Sequence, residues 1–213
     1  MSSSDDHLQQ IAQREQWRGF VRNIPASVTG NAGAGVTYAW AYWAATSNTA
    51  VFPWLAVILA INVVRVWLLR RHGRDAIHRG RHSARVRAGF LAVTALAGGL
   101  WGFGFVLLAV GASLNVKLLS AAFALALAVG AITTMGSLLS GFFLFLGLMF
   151  VPLSGVFFMG GTTVQIIVGG ALLLVAGIVS RATITLNRKV ISLYLAQRKN
   201  RRLVYDLEVE RDR

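Results

Sequence analysis

Cysteine is absent from the sequence, which excludes a disulfide framework, a thiolate metal site and a thiol nucleophile. Charge is scarce as well. Only 14% of residues are charged, where a soluble domain carries about 25%. From Ala88 to Thr185 the charged residues are Lys117 and Arg181 alone, so this stretch lacks the polar surface of a water-exposed globule. No acidic residue falls inside a long apolar run, which weakens an ion-coupled transport reading, since transporters commonly place acidic relays in the membrane. The four histidines, His7, His72, His78 and His82, also lie outside those runs. Facing axial ligands for a membrane haem are therefore lacking, and His78 with His82 has no third ligand to hold a metal. No cofactor and no metal is expected. The opening MSSSDDHLQQ has neither a basic stretch nor an apolar core, so no cleavable signal peptide is expected.

What remains is apolar: 55% of residues, with a mean hydropathy of +0.60. This composition predicts an all-α, polytopic membrane helix bundle. A helix needs about 20 apolar residues to cross the hydrocarbon, and six candidate spans meet that length: 28–46, 50–69, 88–111, 118–135, 138–158 and 163–186. The first is the least apolar, with glycines and polar positions. Residues 136–137 form the turn between the fourth and fifth. Ahead of the first span, residues 7–24 set Leu8, Ile11, Trp17, Phe20, Val21 and Ile24 among Arg14, Arg18 and Arg22. This predicts a short amphipathic helix on the inner leaflet, broken by Pro25. Three regions follow: an N-terminal amphipathic segment (1–27), a six-helix input domain (28–186) and a cytoplasmic helix (187–213).

The net charge of +13 is unevenly distributed. Seven arginines against Asp75 occupy residues 70–87, and more basic residues follow the last span. Basic clusters directly flanking spans are what the positive-inside rule produces, so nucleic acid is not an expected partner. Four spans, an even number, separate the two clusters. Both termini and the arginine loop are therefore expected in the cytoplasm. Trp40, Tyr42, Trp43 and Trp54 would sit at the outer interface and Trp67 at the inner one.

Few intramembrane residues offer chemistry. Asn62 and Arg65 lie one helical turn apart near the inner end of the second span. Either Arg65 snorkels to the cytoplasmic face while Asn62 bonds a neighbouring helix, or the two form part of a ligand site. Gly98 and Gly102 have the small-xxx-small spacing of close helix packing. Trp101, Phe103 and Phe105 between and after them can also line an apolar pocket, completed by Trp40 and Trp43. The candidate ligand-binding set is therefore Trp40, Trp43, Asn62, Arg65, Trp101 and Phe105, for an apolar small molecule.

No glycine or proline interrupts residues 181–213, which predicts a helix leaving the membrane unbroken. Along it Leu186, Val190, Leu193, Gln197, Asn200, Val204 and Leu207 recur at alternating spacings of four and three, the seam of a heptad repeat. Polar Gln197 and Asn200 in that seam fix register at a cost in stability. A homodimeric coiled coil starting at the membrane is expected, with an amphipathic helix on the headgroups as the alternative.

The lead-in ending NIPASVTGN, INVVRVWLLRR closing the second span, ALAGGLWGFGF in the third and the tail N-x-x-L-V-x-D-L-E-x-E-R together carry a resemblance. They look like the N-terminal six-helix membrane input regions of bacterial GGDEF/EAL cyclic-di-GMP enzymes and of membrane histidine kinases. The resemblance covers essentially the whole chain and implies a sensor or anchor in the bacterial inner membrane, feeding a cytoplasmic output domain. No GGDEF, EAL or kinase motif is present, so no catalytic residue carries over and no enzymatic activity is expected. The output domain would lie on a continuation of the chain or on a partner. A small transporter, a channel-like protein or a passive anchor are the alternatives.

Overall fold

Six helices and no strand make up the described residues: α1 (Ser3–Thr46), α2 (Val51–His78), α3 (Ala84–Ala109), α4 (Leu114–Met135), α5 (Leu139–Met159) and α6 (Thr163–Arg211). The computed structural model describes the backbone of residues 3–78 and 84–211, and the side chains of residues 16–71, 85–193 and 196. The side chains of Gln197, Asn200, Val204 and Leu207, of all four histidines and of most of the arginine loop lie outside those limits.

Five helices contain stretches long and apolar enough to cross a membrane: Val51–Arg71, Arg85–Ala109, Leu114–Met135, Leu139–Met159 and Thr163–Leu193. This is the pattern of a multi-pass membrane protein. α1 falls short of it because its polar positions dilute its hydropathy. Those positions turn inward: Ser27, Asn31, Tyr38 and Tyr42 are all buried. The outward face of α1 carries Pro25, Ala26, Gly30, Gly33, Val36 and Trp40. Its exposed Thr29 and Thr37 donate their hydroxyls to Pro25 O and Gly33 O one turn back, a bond that satisfies the hydroxyl inside the helix.

The amphipathic lead-in is not a separate helix on the membrane. α1 runs through Pro25 without interruption, and Trp17, Phe20, Val21 and Ile24 are buried in the bundle. Trp17 and Phe20 meet Phe90 of α3 edge to face, at centroid distances of 5.6 and 6.4 Å. A proline inside a helix removes one backbone hydrogen bond and crowds the preceding turn, at about 3 kcal/mol. Burying two large aromatic side chains and two aliphatic ones offsets that cost, at about 1.5–3 kcal/mol each.

The closest helix approach is between α3 and α5. A β-carbon on Gly98 would lie 2.6 Å from Phe145 O, and one on Gly102 would fall on Leu148 O. The small-xxx-small spacing thus lets two backbones touch. Gly104, two residues further on, receives the Trp54 indole of α2 in place of a side chain. α1 packs against α2 and α4, while α6 leans on α5 and α4. Gly111 (φ 75°) and Gly161 (φ 70°) end α3 and α5 in the left-handed conformation that suits glycine at a helix terminus. α6 continues beyond the apolar stretch with no break at Asn187.

Candidate functional site

Two polar constellations stand out in this apolar bundle. The first is at the end of α4. A helix leaves its last carbonyls without intrahelical donors, and here two other helices supply them. Asn23 of α1 donates from Nδ2 to Thr133 O at 3.2 Å. Asn187 of α6 donates from Nδ2 to Gly136 O at 2.7 Å and to Ser137 O at 3.3 Å. Gln16 of α1 completes the junction by donating to Asn187 Oδ1 at 3.0 Å. One amide thus ties α6, where its apolar stretch gives way to basic residues, to the α4–α5 turn and to α1. Beside it lies a cavity of about 340 Å³, lined by Gly19, Asn23, Ile132 and Ser137 on one side and by Leu186 and Val190 on the other.

The second constellation lies deeper, where α1, α2 and α3 meet. Arg65 of α2 is 3% exposed, and its Nη2 donates to Ser27 Oγ of α1 at 2.9 Å. Its Nη1 has no hydrogen-bond partner among the described residues, nor does Asn62 Oδ1. Arg65 therefore does not snorkel. Asn62 donates to Ile58 O of its own helix and not to a neighbour. The sequence has no acidic residue between Glu15 and Asp75, nor between Asp75 and Asp206, so no carboxylate in the spans balances the guanidinium. A charge at the centre of a span costs about 2.5–3.5 kcal/mol on insertion scales, and Arg65, towards the inner end of the Val51–Arg71 stretch, bears part of that cost. One turn along α1, Asn31 Oδ1 accepts from Trp101 Nε1 of α3 in a short hydrogen bond.

Trp101 and Phe105, both fully buried, join Tyr38, Trp54 and Phe123 in one aromatic cluster with centroids 4.9–6.1 Å apart. The rings sit mostly edge to face, as their quadrupoles favour. Their polar ends are satisfied too. Trp54 Nε1 donates to Leu100 O and Tyr42 O–H to Leu108 O. Tyr38 O–H donates to Ser120 Oγ at 2.8 Å, because Ser120 gives its own proton to Val116 O. This is a filled core.

Of the candidate ligand set, the structure brings Trp101 to Phe105 but leaves Trp40 (66% exposed) and Trp43 on the outside. Trp54 and Tyr42, expected at the outer interface, are buried between helices. Arg65 belongs to a polar group with Ser27 and Asn31 that sequence reasoning missed. Its signal was the spacing of Ser27 and Asn31, four apart on one helix face. The start of the heptad seam, Val190 and Leu193, is exposed. Comparison with protein-family models, curated proteins and solved structures finds no match.

Proposed function

We propose that the chain is a membrane-embedded input module. It would pass a membrane-borne signal through α6 to a cytoplasmic output domain, a cyclic-di-GMP enzyme or a histidine kinase, in cis or in trans. The observation that carries this reading is the junction at Asn187. A single unbroken helix, Thr163–Arg211, is bonded where it leaves the bundle to the turn and the helix that would have to move. Rearrangement of α1 or α4 would be felt at that amide, and a rigid helix carries rotation or tilt outward. The module itself has no catalytic role in this scheme.

α1 is the sixth crossing. From Asn23, bonded at the α4 terminus, to Tyr42, bonded near the opposite end of α3, it rises about 28 Å at 1.5 Å per residue, the thickness of the hydrocarbon core. Its outward face is apolar or internally satisfied. With six crossings, the arginine loop and both termini share one side, the cytoplasmic side by the positive-inside rule, in a bacterial inner membrane. Leu186, Val190 and Leu193 form an exposed stripe at heptad spacing on α6, which supports pairing with a second copy into a homodimer.

Fusing a diguanylate cyclase reporter after Arg213 tests the reading. One residue inserted in 188–207 turns everything beyond it by about 100°, and seven residues restore the phase to within about 20°. Output should therefore fall and return with helical phase. A passive anchor gives output independent of phase, and solute flux in proteoliposomes favours a transporter instead.

A further inference from the structure

A cavity of about 440 Å³ opens between α1 and α4 on the far side of Ser27 and Asn31, within the about 300–1,000 Å³ range of small-ligand sites. Its rim is made of small exposed residues, Ala26 and Gly30 on α1 with Ala126 and Gly130 on α4, so it faces the acyl chains of a surrounding bilayer. Its inner wall combines buried apolar residues, Ala131, Met135 and Phe145, with two buried polar ones on α1. Ser27 and Asn31, 8% and 5% exposed, each keep a free donor. The Ser27 hydroxyl accepts from Arg65 but has no acceptor for its own proton among the described residues. Asn31 presents its oxygen to Trp101, which turns its amide nitrogen away from that contact, and among the described residues this nitrogen has no partner. Two unpaired donors on successive turns of α1, backed by an unbalanced guanidinium, recognise a negatively charged oxygen. An apolar approach selects a molecule with an acyl tail.

We infer that this cavity binds the carboxylate head of a single-chain amphiphile, a free fatty acid by chemical class. The Ser27 hydroxyl and the Asn31 amide would donate to it, and Arg65 would supply the charge. As the input of the module this rests on the transmission reading above; as a binding site it does not. Arg65 is then retained as a cation in the membrane because its counter-ion is the ligand, consistent with buried charges being paired.

Photolabelling tests it on the full chain in nanodiscs. The probes are a long-chain fatty acid with a diazirine in its tail and the methyl ester of the same acid. Labelling should map to residues 26–34 and 123–135, with the acid at least about tenfold ahead of the ester, which is about 1.4 kcal/mol of preference for the charged head. Ser27→Ala and Arg65→Gln should each erase most of that preference. Arg65→Lys, which keeps the charge, should retain part of it and serves if the glutamine variant does not fold. Equal labelling by acid and ester overturns the assignment, as does a preference untouched by Ser27→Ala. Displacement of the acid by an equal concentration of an uncharged quinone overturns it as well. Binding of the acid without any change in a phase-sensitive fused reporter leaves the site standing and overturns its role as the input. Phase dependence without acid preference does the reverse.

Discussion

Replacing Asn187 with leucine should loosen the base of α6 while leaving the bundle folded. The substitution keeps the side chain's heavy-atom count and branching and removes three hydrogen bonds, two given to Gly136 O and Ser137 O and one accepted from Gln16. A net intramolecular hydrogen bond contributes about 0.5–1.5 kcal/mol, and an acceptor left buried and unpaired costs about 1–3 kcal/mol. Gly136 O, at the short end of the junction and shielded by α6, carries most of that cost. Polar contacts between membrane helices average less than soluble ones, about 0.6 kcal/mol and up to about 1.7. The two estimates bracket a loss of about 2–3 kcal/mol, or about 30- to 150-fold in the open population. An open form held at about 1% would become comparable with the closed one. The cysteine-free chain allows spin labels to be placed at two new cysteines alone, at exposed Ser140 on α5 and exposed Ser192 on α6. Their distance distribution should gain a second, longer component in Asn187→Leu. Gln16→Ala, which removes one bond and leaves Asn187 on the turn, should broaden it less. An unchanged distribution with an unchanged melting temperature would refute the claim that this amide holds α6 in place.

Gly102→Val should destabilise the bundle by more than about 1–3 kcal/mol, the usual cost of overpacking, because the new β-carbon meets the rigid carbonyl of Leu148. Gly99→Ala, with open space around the added atom, should be neutral or stabilising by up to about 1 kcal/mol. Thermal unfolding in detergent ranks the pair, and equal effects would contradict the α3–α5 contact. Trp101→Phe should cost about 1–3 kcal/mol by leaving Asn31 Oδ1 buried without its donor, while Trp40→Phe on the exposed face should stay within about 0.5 kcal/mol. The same melts measure both, and a larger loss at Trp40 would show that the aromatic cluster is misplaced.

The five most apolar helices are legible in the sequence because hydrocarbon admits few alternatives: a backbone crossing it must bond to itself, and a run of about 20 apolar residues leaves little else to form. The turn at residues 136–137 was readable from Gly136 and Ser137 between two apolar runs, and the uninterrupted α6 from the absence of glycine and proline after Arg181. α1 was harder. A bulk measure of hydropathy counts Ser27, Asn31, Tyr38 and Tyr42 against a span, yet each faces a neighbouring helix and only the outward face meets the bilayer. Pro25 suggested a break because the proline rule describes an isolated helix, whereas Trp17 and Phe20 hold this one straight through by packing on Phe90. The polar residues were hardest. A lone asparagine in an apolar run looks incidental until the structure places a carbonyl opposite it, and the acceptors of Asn23 and Asn187 are backbone atoms at the end of α4, which no residue type in the sequence advertises. Arg65 alone signalled itself, since a charge in a span demands a partner. Its expected outlet was the cytoplasmic face or a bound ligand, whereas the structure gives it Ser27 on α1. Side-chain periodicity finds which faces are apolar, but which helix supplies a missing donor depends on how the helices are arranged around one another. In this bundle the two polar constellations therefore rest on contacts between residues 38 and 171 positions apart.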